Sequence, residues 1–121
     1  MPNAIRFQDV SSSPVTDYPA ADRQLHGAPQ RTTWTHYINA TGEFECGIWE
    51  SEEGGWRTVF HEHKEEYFYV LDGLIRLTAR DGETRLLGPG DACVIPAGFA
   101  GTFEVLKRVR KHYVIFERGQ A

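Results

Sequence analysis

The densest run of chemistry-bearing side chains is Phe60-His61-Glu62-His63-Lys64-Glu65-Glu66-Tyr67, inside residues 54–73. Residues two apart on a strand point to the same face, so His61 and His63 can aim both imidazoles at one point. With the carboxylate of Glu66 close behind, this is a workable ligand set for a divalent metal such as Zn, Mn, Fe or Ni. His36 or His112 would complete the shell from a neighbouring strand. Without a metal, a bare buried carboxylate costs several kcal/mol. Glu66 then needs a cation, and Arg57, Arg76 and Lys111 are the candidates. Arg57, together with Trp49, Phe68 and Phe103, can also form the wall of a pocket for a small polar or planar ligand. Trp56 belongs to the same group of aromatics.

These side chains need a frame of strands. Trp34 to Ile38 alternates as a strand, and turn residues 39–42 lead into Phe44 to Glu50. Further strands are expected at 56–63, 67–71, 74–78, 84–87, 92–95, 102–106 and 110–117. Asp72-Gly73 reads as a tight turn, Asp81-Gly82 as a hairpin turn, and Gly88-Pro89-Gly90 and Pro96-Ala97-Gly98 as further corners. No stretch keeps a helical period over more than two turns. Short strands with turns at close intervals imply an all-β antiparallel sandwich or barrel. Residues 1–30 carry Pro2, Pro14, Pro19 and Pro29 with few apolar anchors, and are expected to be an extended arm bearing a short edge strand. Residues 31–121 are expected to be one barrel. The arm and the exposed edges predict a homodimer formed by sheet extension.

Composition narrows the function classes. The chain has 121 residues, 40% of them apolar, and a formal charge of -4. That suits one globular core, and no basic stripe points to nucleic acid. No segment reaches the roughly twenty apolar residues of a membrane span, and no leader sequence opens the chain, so a cytoplasmic protein is expected. Cys46 and Cys93 form no Cys-x-x-Cys pair and read as two buried thiols.

Two segments resemble the signatures of the cupin superfamily. The first runs from Gly55 through His61, His63 and Glu66 to Gly73. Its outer spacings fit, but only two residues separate His63 from Glu66, one fewer than the pattern. Counting back from Glu66 without a gap puts the family's histidine positions at Phe60 and Glu62. Either a shortened turn points His61 and His63 inward, or they sit in the turn and point elsewhere. The second segment, Gly90 to Gly98 with Pro96, fits the other signature, whose histidine falls on Gly101. Residues 47–50, 96–106 and 109–115 are similar to a branch related to ureidoglycine aminohydrolase and ethanolamine-utilisation cupins. The resemblance implies a double-stranded β-helix, the jelly-roll barrel, with a small-ligand cavity inside, where cupins often carry a divalent metal although many members of this branch lack the usual histidines. It favours Lys111 as the partner of Glu66, and those two residues as the catalytic pair. It implies an enzyme acting on a small nitrogen-containing metabolite, such as a ureide or amino compound. The alternative is a metal-free module that binds a small ligand without turning it over.

Overall fold

The structure is a computed structural model and describes residues 2–119. Nine strands run in chain order: β1 (Val15–Asp17), β2 (Gln24–His26), β3 (Arg31–Ile38), β4 (Phe44–Ser51), β5 (Gly54–Val59), β6 (Lys64–Ala79), β7 (Thr84–Leu87), β8 (Ala92–Ile95) and β9 (Ala100–Glu117). Every pairing is antiparallel. The architecture is the all-β, curled antiparallel sheet of a jelly roll.

Two long strands organise it. β6 and β9 pair along almost their whole lengths, and their register breaks repeatedly between Val70 and Ile75. Gly73 lies at this break with φ +95°, and a Cβ there would stand 2.2 Å from the carbonyl oxygen of Arg108. Only glycine lets the two strands cross that closely while bending. The expected turn at Asp72-Gly73 is therefore a bend inside one strand, and residues 102–106 and 110–117 are likewise halves of one strand.

The bend divides the sheet into two wings. In wing one, β3, β4, the second half of β9, the first half of β6 and β8 lie side by side. In wing two, β5, the first half of β9, the second half of β6 and β7 do so. The inward positions of both wings meet in a core that includes Phe68, Val70, Ile75, Ile95, Phe103 and Val105. Burying side chains of this size stabilises the fold by about 1.5–3 kcal/mol each. The N-terminal segment spans the mouth, because β1 pairs with β3 on wing one and β2 with β5 on wing two. Among the described residues, no helix is long and apolar enough to cross a membrane.

Candidate functional site

Alternation on the two inner faces leaves a cavity of about 310 Å³ between the wings. Lys111 of β9 stands at its floor, directly across from Trp49 of β4 and Val70 of β6. The Lys111 Nζ donates to Glu66 Oε2 at 2.9 Å. The lysine side chain is 3% exposed and the glutamate 11%. Around the ammonium stand the rings of Phe68, Trp49 and Phe103, with centroids at 4.1, 4.5 and 5.1 Å. Desolvation makes both the ion pair and these cation–π contacts stronger than at a surface.

A second polar group stands beside the first on the same face of β9. Tyr113, two residues along β9, stands opposite Gly47, where no side chain blocks it, and Gly47 in turn opposes Thr35. The Tyr113 hydroxyl crosses that lane, donates to Glu45 Oε2 at 3.0 Å and lies 3.2 Å from Thr35 Oγ1. Burial, with the Glu45 carboxylate also contributing, pushes this hydroxyl well above the ordinary tyrosine range. The phenol therefore keeps its proton and serves as a donor. Register sets Glu45, Ile115 and Glu66 in one row across β4, β9 and β6. Each of the two carboxylates uses Oε2 for its inner partner. Neither Oε1 has a protein donor among the described residues.

The walls are Trp49, Trp56, Phe60 and Phe103, with Trp56 and Phe103 stacked at 5.0 Å and 16°. Arg31 of β3 spreads over Trp56 at 5.0 Å and is held by Asp17 of β1, Nη2 to Oδ2 at 2.8 Å. The N-terminal segment thus contributes a residue to the cavity wall. Lys64 lies over Phe60 at 4.9 Å.

The expected ligand set of His61, His63 and Glu66 is not assembled. β5 ends at Val59, not at residue 63, and the chain turns at 60–63. Both histidines lie in that turn and face solvent. His61 Nε2 pairs with Glu117 at 2.7 Å, while His63 approaches Glu62 at 3.5 Å. The ungapped register holds instead: Phe60 is buried and lines the cavity, and Glu62 is exposed. At the third position, a Cβ on Gly101 would sit 2.1 Å from the carbonyl oxygen of Thr78, so no imidazole fits there. His36 and His112 stand on the outer side of wing one, with the ring of Phe7 edge-on to both. The donor set therefore does not fit the divalent metal that the fold implies. Among the described residues no three His, Cys, Asp or Glu groups come together to hold an ion.

Two further expectations change. Arg57 points outward from β5 and donates to the backbone carbonyl of Asp22. Phe68 is fully buried beneath the ammonium and does not line the cavity. Trp49 and Phe103 do line it. Glu45, Tyr113, Arg31, Asp17, Phe60 and Lys64 also line the cavity and were not among the expected site residues. Tyr113 shares the parity of Lys111, a signal that was available. The convergence of Glu45 and Asp17 depends on strand neighbours that no local pattern reveals.

Comparison with known proteins agrees with this architecture. The model of the EutQ-like cupin domain matches residues 38–113. A DUF861-family protein of unknown function from Pseudomonas syringae superposes with TM-score 0.77 at 16% identity, covering 89% of this chain and 45% of that one. This chain thus spans less than half the length of that protein. The EutQ protein of Clostridium difficile gives TM-score 0.66 at 21% identity, covering 94% of this chain and 86% of that one. A DUF861-family protein from Thermotoga maritima gives 0.52 at 30% identity, covering 61% and 80%. No curated protein sequence matches.

Proposed function

We infer that this chain, which belongs to the EutQ-like cupin family, takes a small nitrogen-containing metabolite into its cavity and acts on it through Glu66 and Lys111. The observation that carries the reading is the Lys111–Glu66 contact at 2.9 Å, on the cavity floor with aromatic rings around the ammonium. Burying two charges costs several kcal/mol per ion before any attraction is recovered, and apolar residues would fill the same space at less cost. A pair kept there under that penalty, beside a cavity, fits a chemical role better than a structural one.

The lining favours a ligand rich in N–H donors. Glu45 and Glu66 present their Oε1 atoms from one row, about 10 Å apart at the backbone by strand spacing. A ligand carrying N–H groups at both ends, such as a ureide or a diamine, would satisfy both. Trp49, Trp56 and Phe103 supply flat apolar walls for the rest of the molecule. In chemistry, Glu66 takes a proton from the ligand or from an attacking water, and Lys111 delivers one to the departing or acquiring atom. Their shared hydrogen bond then returns the proton from Glu66 to Lys111, which restores the pair.

The test is calorimetric titration with amines, amino acids and ureides, followed by NMR of each ligand that binds. Wild-type protein is expected to bind at least one saturably and convert it. Glu66→Gln, which keeps the shape, is expected to retain the fold and lose conversion. Binding with no conversion would make the chain a binding module. Binding that survives both Glu66→Gln and Lys111→Met unchanged would remove the pair from the site.

A further inference from the structure

The charged groups that line the cavity divide into those answered within the chain and those that are not. Three carboxylates, Asp17, Glu45 and Glu66, and three cations, Arg31, Lys64 and Lys111, belong to the lining. Glu66 is answered by Lys111 at 2.9 Å. Asp17 is answered by Arg31 through two parallel hydrogen bonds of 2.8 Å, Nε to Oδ1 and Nη2 to Oδ2. Among the described residues, neither Glu45 nor Lys64 has an ion-pair partner. Glu45 accepts from the Tyr113 hydroxyl, a neutral donor, at 3.0 Å. Lys64 Nζ stands over the ring of Phe60, 4.9 Å from its centroid.

Both unanswered charges are directed at the cavity. Alternation along β6 puts Lys64 on the same face as Glu66, roughly 7 Å nearer the turn at residues 60–63. A lysine with no task would extend into water, yet this one is half-buried against the wall. Phe60 is itself buried in that wall, and the negative face of its ring holds the ammonium there. Glu117 stands opposite Lys64 on β9 but pairs with His61 at 2.7 Å. Glu45 shares the row of Glu66 across β4, β9 and β6. Two strand spacings and one two-residue step therefore set Glu45 and Lys64 about 12 Å apart at the backbone. Side chains of their length, converging from opposite walls, narrow that gap to the span of one small molecule.

We propose that Lys64 is the carboxylate-recognising residue of this cavity and that the ligand is a small zwitterion. Its carboxylate sits on Lys64, its ammonium on Glu45, and a neutral N–H group of ureido or amide type on Glu66. This assignment rests on the cavity being the ligand site, as inferred above, and fixes the charge of what enters it. A simple amine would answer Glu45 and leave the Lys64 ammonium facing into the site. A simple carboxylate would do the reverse. Glu66 already has its cation, so a neutral donor suffices there. A zwitterion answers both open charges and adds no net charge to a lining whose cations and carboxylates are equal in number. Leaving a desolvated charge without a partner costs more than forming the contact gains, so such groups discriminate between ligands. A volume of about 310 Å³ lies at the small end of ligand pockets and suits a compound of amino-acid size.

Calorimetry of the full chain with two probe series tests this. One series is asparagine, 3-aminopropanamide (its carboxylate removed) and succinamate (its ammonium removed). The other is citrulline, N-carbamoylputrescine and 5-ureidopentanoate, trimmed in the same two ways. In at least one series the zwitterion is expected to bind about tenfold or more tightly than either trimmed compound. Lys64→Gln is expected to bring the zwitterion and its carboxylate-free analogue to within about twofold, and Lys64→Arg to keep the preference. Both variants are expected to retain the wild-type circular dichroism. Wild-type protein that binds no member of either series, or binds the carboxylate-free compounds as tightly as the zwitterions, overturns the proposal. A preference that survives Lys64→Gln also overturns it. The two readings fail separately. Conversion of a carboxylate-free amine bound as tightly as its zwitterion keeps the Glu66–Lys111 chemistry and removes Lys64. A zwitterion held through Lys64 and never converted keeps the carboxylate site and removes the chemistry.

Discussion

Of the places where this chain sets acids beside basic side chains, the turn at residues 60–63 and the cavity floor differ most in what encloses them. The turn at residues 60–63 gathers His61, Glu62 and His63, and its histidines pair with Glu117 and Glu62 in the open, about half exposed. The cavity floor has a single lysine and a single glutamate drawn from strands 45 positions apart. Yet the Lys111 side chain is 97% enclosed, since only 3% of it is exposed, and it is ringed by aromatics. In water the first set of contacts is worth roughly 0–1 kcal/mol per pair. Inside, the same kind of pair fixes geometry and concentrates field. Close spacing along the chain is therefore a poorer guide to chemistry here than shared burial across it.

That contrast can be attacked from its strongest side first. Glu66→Ala leaves a buried ammonium without its carboxylate, and about 3–5 kcal/mol of stability is expected to disappear in urea unfolding. Tyr113→Phe removes the donor to Glu45 and the contact with Thr35. About 1 kcal/mol of stability is expected to go with it, and calorimetry should show weaker ligand binding.

A pH titration sharpens the comparison on the outer face. Burial, followed by the charges of Arg110 and His36, holds His112 below the ordinary histidine range. A histidine whose folded pKa is depressed favours the fold when neutral. Its contribution is whole above about pH 6.5 and is lost as pH falls through the lowered value. The urea midpoint is expected to drop over that window, and His112→Gln should flatten part of the drop. The smallest effect belongs to the turn. His61→Ala with His63→Ala is expected to cost under about 1 kcal/mol and to leave ligand binding as it was.

Much of the frame was legible from alternation and turn residues, because strand parity and glycine corners are local properties. The misreading at Asp72-Gly73 is instructive. A tight turn and a bend within a long strand both call for a glycine at positive φ, so local sequence does not separate them. Residues 61–63 were drawn into the preceding strand because a β-compatible pattern runs on past Val59, where the ladder stops. In the site, Glu66 was legible from its distance to Gly73, and Lys111 from strand parity together with the family resemblance. Glu45 and Asp17 were not, since each reaches the cavity through lateral neighbours. Glu45 gets there through the β4–β9 register, and Asp17 through a three-residue strand laid along β3. Such information belongs to the pairing of strands and not to any one of them.

The most direct test replaces both members of the inner pair at once. Lys111→Met with Glu66→Leu removes two buried charges and fills their space with apolar atoms. Stability equal to or above wild type is expected, with the calorimetric response to the ligand abolished. A double variant that still binds the ligand with wild-type affinity would contradict it.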